Sequence, residues 1–205
     1  MLRLLERRVK PVFGPQHLLS LSRVLLGVLV LLELARTPTS ALVLPAVVLA
    51  CLSDWYDGRV ARTRHEESNT GRLVDNLSDA AFLALAFTGF ALATTWSHPL
   101  TGSAVRYTEH ANWLPVAALV LSFGSYSGRW LITSRRGQGM LSSERGHAAG
   151  VANYVLALLG GLAVFPGVFV TRWLLEPAFV TVVLMNATAA VDNVGLVFRT
   201  RVSQK

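Results

Sequence analysis

Charged residues are scarce in this sequence. They make up 15% of its 205 residues, against 52% that are hydrophobic, and the mean hydropathy is +0.46. A soluble domain usually has about a quarter of its residues charged. The composition therefore excludes an ordinary soluble domain and indicates an integral membrane protein.

Cysteine is nearly absent, and acidic residues are fewer than basic ones. The single cysteine, Cys51, rules out a disulfide within the chain, and the apolar run around it predicts a packing role. The 12 Asp and Glu residues against 19 Lys and Arg residues give a net charge of +7. No basic and aromatic pattern of a known RNA or DNA module is present. We therefore predict no nucleic-acid partner, and we attribute the positive charge to cytoplasmic loops that contact anionic lipid.

Internal repeats, low-complexity tracts and a separate soluble segment are also absent. We predict a single membrane domain over residues 1–205 and an all-α fold: a polytopic membrane protein with six transmembrane helices plus an N-terminal amphipathic surface helix. Residues 1–14 alternate apolar and basic side chains, which predicts that juxtamembrane helix or else a basic tail that only sets topology. The apolar segments that predict the six transmembrane helices are residues 18–35, 42–52, 71–95, 113–132, 148–164 and 173–198.

Arginine and lysine are concentrated in four places. These are the N-terminus, the connections after the second and fourth predicted helices, and the C-terminus. Positive segments stay on the cytoplasmic side of a membrane. We therefore expect a multi-pass protein of the plasma membrane with both termini in the cytoplasm.

The acids that are present cluster in one stretch, residues 54–79. Four aspartates lie there: Asp54, Asp57, Asp75 and Asp79. Residues three or four apart share one face of a helix, so each pair forms an acidic face. The polar segment 63–70 between the pairs predicts a loop that brings the two faces together. Four carboxylates in a low dielectric need a countercharge, and all-oxygen ligands favour Mg²⁺ or Mn²⁺.

The spacing of this stretch is that of a known signature, D-x2-D-G-x2-A-R-x8-G-x3-D-x3-D. Each residue type is used at roughly one position in twenty, so a complete match is very unlikely by chance. The chain resembles the CDP-alcohol phosphatidyltransferase family on this basis. The matching residues are Asp54, Asp57, Gly58, Ala61, Arg62, Gly71, Asp75 and Asp79.

This resemblance implies an enzyme that transfers a phosphatidyl group from a CDP-linked lipid to the hydroxyl of a small polar alcohol, releasing CMP. The expected donor is CDP-diacylglycerol, and the expected cofactor is a two-metal Mg²⁺ or Mn²⁺ site held by the four aspartates. Asp79 is also the expected general base. The residues expected on the cytidine and phosphate side are Gly58, Ala61, Gly71 and Arg62.

A second element of the family is matched more loosely in the first predicted helix. The segment that begins at Ser20 and ends at Arg23 resembles a T-x-x-R element, with serine in place of threonine. The resemblance implies that Ser20 and Arg23 contact the diphosphate of the donor. The alternative is that Arg23 is an interfacial arginine whose long side chain reaches the membrane surface.

The sequence leaves the acceptor alcohol open. Ala80 follows Asp79, where phosphatidylglycerophosphate-, cardiolipin- and phosphatidylinositol-type synthases have a basic residue. We place Arg129, Arg135 and Arg136 in a positive loop after the fourth helix. These arginines either bind an acceptor phosphate or act only as topology signals.

Two further features bear on function. Gly124 and Gly128 have G-x-x-x-G spacing, which indicates close helix packing or a homodimer interface. The alternative function, from a different class, is a divalent-cation transporter or channel. Such a protein would use the same aspartates as a permeation site. Such a site is expected near the middle of the bilayer, often in a protein with internal repeats. The acids here lie at predicted helix ends, which favours the enzyme.

Overall fold

In a computed structural model, the residues that the structure describes form six α-helices. The structure describes residues 15–64, 69–93, 95, 109–135, 143–168 and 170–202. No β-strand occurs in these residues, which confirms the all-α prediction. The helices are α1 (Pro15–Arg36), α2 (Val43–Arg64), α3 (Asn69–Leu92), α4 (Leu114–Arg135), α5 (Glu144–Ala163) and α6 (Arg172–Val202), with a 3-10 helix at Glu109–Trp113.

Two predicted loops are shorter than the sequence suggested. Helix α2 continues to Arg64 and α3 starts at Asn69, so only residues 65–68 separate them. The alanine and arginines at the end of α2 are good helix formers and extend it past the acids. Helix α4 likewise continues past its predicted end to Arg135, because no glycine or proline interrupts its last turns. Arg129 and Arg135 are therefore helical. The prediction that they lie in a loop is wrong.

Among the described residues, three helices are long and apolar enough to cross a membrane. These segments are Leu73–Leu92, Glu144–Ala163 and Trp173–Val197, and a shorter apolar helix covers Val43–Tyr56. The six-span topology stays a prediction, and the predicted amphipathic helix at residues 1–14 lies outside the described residues. Exposed leucines and valines on the outer faces of α1, α4 and α6 are suited to contact with lipid.

Close packing of α1 against α3 fixes which residues of the two helices lie side by side. A Cβ added at Gly27 would lie 3.1 Å from the Phe82 Cα and 3.1 Å from the Leu85 Cδ1. Gly89, further along α3, makes a similar approach to Leu31 and Leu34 of α1. Residue numbers rise together on the two helices, so α1 and α3 run parallel. Arg23 lies one turn before Gly27, and this register places it beside the start of α3.

The same end of the bundle collects residues from the other helices. Leu44, near the start of α2, packs on Gly161, near the end of α5. Asn76 of α3 donates to the Tyr126 hydroxyl of α4 at 2.6 Å. Tyr126 belongs to the C-terminal half of α4, so this half of α4 meets the N-terminal half of α3.

Gly124 and Gly128 lie on an open face of α4. A Cβ added at either glycine meets no atom within 4 Å among the described residues. Close packing within the chain, one of the two interpretations of their spacing, is therefore not found there. Contact with a second copy stays a prediction.

Candidate active site

Three of the four motif aspartates meet at one point. Asp54 comes from the middle of α2, and Asp75 and Asp79 lie one turn apart near the start of α3. One carboxylate oxygen from each residue lies within 4.8 Å of the other two. Their side chains are 39%, 38% and 20% exposed. The cluster is thus partly sheltered and open on one side.

Arg23 is the countercharge of this cluster. Its guanidinium is fully buried and forms ion pairs with Asp54, at 3.2 Å, and with Asp75 and Asp79. One planar group with several donors can serve three carboxylates at once, which an ammonium cannot do with the same geometry. The prediction that Arg23 belongs to the site agrees with this position. Its contact with a diphosphate stays a prediction.

Tyr154 of α5 adds a neutral donor to the cluster. Its hydroxyl donates to Oδ1 of Asp79 at 2.8 Å. Its ring stacks on Phe82 with the centroids 6.0 Å apart and the planes 18° from parallel. Phe82 follows Asp79 by three residues on α3, so one helix positions both the aspartate and the ring that supports its partner.

A cavity of about 530 Å³ opens from the aspartates into the bundle. Helices α3, α4, α5 and α6 all contribute to its walls. A volume of this size is in the range of small-molecule binding sites. The three aspartates line one part of the cavity, and its other polar lining residues are Asn76, Ser122, Tyr126, Arg129, Ser143, His147, Asn153, Tyr154, Asn186 and Asn193.

Asparagines form the wall of the cavity on α5 and α6. Asn186 donates to Oδ1 of Asn153 at 2.8 Å and to the Val182 carbonyl at 2.9 Å, while Asn153 donates back to Asn186 at 3.3 Å. Asn193 donates to the Ser125 hydroxyl of α4 at 3.3 Å. All three asparagines are buried. Polar side chains inside membrane helices are costly and usually functional.

Two of the three predicted arginines, Arg129 and Arg135, lie in the described residues. Arg129 is buried on the cavity wall, with its guanidinium carbon 5.9 Å from the centroid of the Tyr126 ring. Arg135 is exposed in the last turn of α4, and Arg136 lies outside the described residues. Only Arg129 of the described pair therefore shares a cavity with the aspartates.

Several predicted site residues have side chains that the structure does not describe. Their backbones lie in α2 and α3: Asp57, Gly58, Ala61, Arg62 and Gly71. Ser20 is buried on α1, one turn before Arg23, and it is not part of the cavity wall. The roles that the resemblance implies for these six residues stay predictions.

Tyr154, Asn153 and Asn186 were missed by the sequence analysis. Each lies in a mostly apolar stretch of its helix, with no motif around it. The only available signal was their presence at membrane depth. For Asp54 and the other motif aspartates the same signal could be used, because it occurred together with the spacing of a known signature.

Comparison with known proteins bears on this site directly. The sequence profile of the CDP-alcohol phosphatidyltransferase family matches residues 16–191, from the start of α1 to the middle of α6. The chain belongs to this family. Family members are membrane phosphotransferases that transfer a phosphatidyl group from a CDP-alcohol to an acceptor alcohol, generally with a divalent metal. Searches of curated proteins and of solved structures give no significant match.

The family assignment agrees with the donor set of the aspartate cluster. Three carboxylate oxygens within 4.8 Å of one another form an all-oxygen group that suits a hard divalent cation. The residues present therefore fit the metal that the family uses. The transporter alternative gains no support from the family match.

Proposed function

We propose that this CDP-alcohol phosphatidyltransferase takes CDP-diacylglycerol as donor, transfers its phosphatidyl group to a small polar alcohol, and releases CMP. The observation that carries the proposal is the convergence of Asp54, Asp75 and Asp79 with Arg23 at the mouth of a polar cavity. This arrangement offers both a place for a charged diphosphate and a place for a polar acceptor.

The donor side is the part of the site that the motif supplies. Asp54, Asp57, Asp75 and Asp79 would hold Mg²⁺ or Mn²⁺ in two sites. Such a cation offsets the charge of the diphosphate and of the leaving phosphate. Residues proposed to contact the cytidine diphosphate are Gly58, Ala61, Arg62, Gly71, Ser20 and Arg23.

The acceptor side is the cavity between α3 and α6. Its polar lining and size suit a small alcohol with further polar groups. Arg129 is the described cation best placed to bind an acceptor that is phosphorylated, because it lies on the cavity wall. Acceptors of this kind include glycerol 3-phosphate and inositol phosphate.

In the reaction, the acceptor hydroxyl attacks the phosphorus that carries the diacylglycerol. The bond from that phosphorus to the bridging oxygen breaks, and CMP leaves with the bridging oxygen. The carboxylate of Asp79 accepts the proton of the hydroxyl as general base. Holding both substrates beside the aspartate cluster supplies the alignment that a reaction between two bound molecules needs.

Orientation and assembly complete the proposal. The aspartates lie toward the end of the bundle where α2 leads into α3, and the sequence between Asp54 and Asp75 carries Arg59, Arg62, Arg64 and Arg72. By the positive-inside rule this end faces the cytoplasm of the plasma membrane. A homodimer is proposed from the spacing of Gly124 and Gly128 alone.

The test is CMP release by the purified protein. CDP-diacylglycerol is supplied with Mg²⁺ or Mn²⁺ and with one acceptor at a time: glycerol 3-phosphate, inositol phosphate, inositol, serine or choline. We expect CMP release with one acceptor, and its loss in Asp75→Asn. Glu144→Gln, which changes an exposed acid in the first turn of α5, is the matched control and should keep activity.

Two results would contradict the proposal. One is CMP release that Asp75→Asn leaves unchanged. The other is no CMP release with any acceptor, together with a Mn²⁺ flux into liposomes that depends on the same aspartates. The second result would favour the transporter.

A further inference from the structure

Two donors from different helices bind the same oxygen of Asp79. The Tyr154 hydroxyl donates to Oδ1 at 2.8 Å, and the guanidinium of Arg23 donates to that same Oδ1. A carboxylate oxygen has two lone pairs. The two donors therefore use both acceptor positions of Oδ1, and Oδ2 keeps two lone pairs, one for the cation that Asp79 is proposed to hold and one for a further partner.

Tyr154 is itself held firmly. Its ring stacks on Phe82, which is fully buried in the core. The neighbouring residue on α5, Asn153, exchanges two hydrogen bonds with Asn186 of α6. The position of the hydroxyl is thus set by contacts with α3 and α6, and does not depend on a mobile surface side chain.

The placement of Asp79 gives this contact a functional meaning. Asp79 lines the cavity together with Tyr154, and it is less exposed than Asp54 or Asp75. A carboxylate that both contacts a cation and accepts a proton has to present a defined oxygen to the hydroxyl. Rotation about the Cβ–Cγ bond would exchange its two oxygens unless one of them is anchored.

We propose that Tyr154 is a positioning residue, which anchors one oxygen of Asp79 so that the other faces the acceptor hydroxyl. This inference rests on the proposed function. It adds a residue from α5 to the cluster of Arg23 and the three aspartates, which is otherwise built on α1, α2 and α3. Arg23 supplies charge to all three carboxylates, whereas Tyr154 contacts only Asp79 among them. Tyr154 therefore fixes orientation without changing the charge of the cluster.

The test is Tyr154→Phe, which keeps the ring and removes the hydroxyl. CMP release from CDP-diacylglycerol is measured with the acceptor that the panel identifies, first at the Mn²⁺ concentration that saturates the unmodified protein and then at higher Mn²⁺ concentrations. We expect kcat to fall about 10- to 100-fold, the loss that a misplaced catalytic group of this kind produces. The KM of CDP-diacylglycerol should change less than about twofold, because the donor binds on the other side of the cluster.

The matched control is Tyr56→Phe. Tyr56 is exposed on α2, so the same hydroxyl is lost without contact to Asp79. Its kcat should equal that of the unmodified protein. The melting temperature of each variant in detergent is measured as well, and we expect Tyr154→Phe to stay folded because Phe82 keeps its stacking partner.

Three outcomes would overturn the inference. The first is an unchanged kcat in Tyr154→Phe, and the second is a loss that disappears when more Mn²⁺ is added. The third is an equal rise in the KM of the donor, which a general disturbance of the site would cause. In each case the unmodified protein still releases CMP and Asp75→Asn does not, so the proposed function stands. Failure of the unmodified protein to release CMP would instead reject the proposed function.

Discussion

Removing the Arg23 guanidinium should destabilise the protein through the three carboxylates that it serves. Arg23 is fully buried, and it pairs with Asp54, Asp75 and Asp79. In Arg23→Ala these carboxylates lose their shared cation while they stay close together. Breaking a buried ion pair by removing one partner costs about 3–5 kcal/mol.

The size of the effect follows from how exposed the partners are. Asp54 and Asp75 keep 39% and 38% of their side-chain surface exposed, so water offsets part of their charge. We therefore expect a loss of about 3 kcal/mol in the free energy of unfolding, at the lower end of the range. For a chain of this length, that loss lowers the melting temperature by about 6–12 °C.

The assay is thermal unfolding of the detergent-purified protein in EDTA, monitored by circular dichroism. Arg36→Ala is the matched control, because Arg36 is an exposed arginine in the last turn of the same helix. We expect its melting temperature to stay within about 2 °C of the original. Arg23→Lys should recover only part of the loss, since a single ammonium cannot match the planar fork of arginine. Equal melting temperatures for Arg23→Ala and Arg36→Ala would refute the reasoning.

Two further predictions concern the packing of α1 and the acceptor cavity. Gly27→Ala should lower stability by about 1–3 kcal/mol because its Cβ would meet the Phe82 backbone at 3.1 Å. Gly195→Ala in α6, where an added Cβ meets no atom within 4 Å, should not lower the melting temperature, and equal melting curves for the two variants would contradict the packing account. If the acceptor is phosphorylated, Arg129→Ala should raise the acceptor KM at least about tenfold and leave the donor KM nearly unchanged. Arg135→Ala, at an exposed position, should leave both KM values as they were, and a donor KM that rises equally in Arg129→Ala would reject the acceptor role.

The fold was predictable from the sequence because its signals are local. Apolar runs between polar connections predicted six helices, and all six are present with ends that differ by a few residues. The largest differences occur where helices continue into charged residues, as α2 does to Arg64 and α4 to Arg135. Arginine is compatible with both a helix and a loop, so charge alone did not reveal where these helices end.

The site was predictable only where its residues share one helix or one spacing. Asp75 and Asp79 are four residues apart, so their common face follows from helix geometry. The meeting of Arg23 with these aspartates depends on the register of α1 against α3, which the contact at Gly27 sets. Register of this kind comes from tertiary packing and has no one-dimensional pattern.

Tyr154 marks the limit of sequence reasoning most clearly. It lies 75 residues after Asp79 and reaches it through the packing of α5 on α3. Nothing in the apolar sequence around Tyr154 distinguishes a site residue from an aromatic residue of the core. Buried tyrosines usually have a hydrogen-bond partner. Only the structure shows that the partner of Tyr154 is a motif aspartate, and this contact identifies Tyr154 as a site residue.

The central claim is that the aspartate cluster transfers a phosphatidyl group with the help of a divalent cation. The most direct measurement is mass spectrometry of the phosphatidyl product. The protein is first freed of metal with EDTA and then supplied with CDP-diacylglycerol and the acceptor panel. The account predicts no product without metal, recovery of product with Mg²⁺ or Mn²⁺, and no recovery in Asp75→Asn. Product that forms equally in EDTA, or equally in Asp75→Asn, would contradict it.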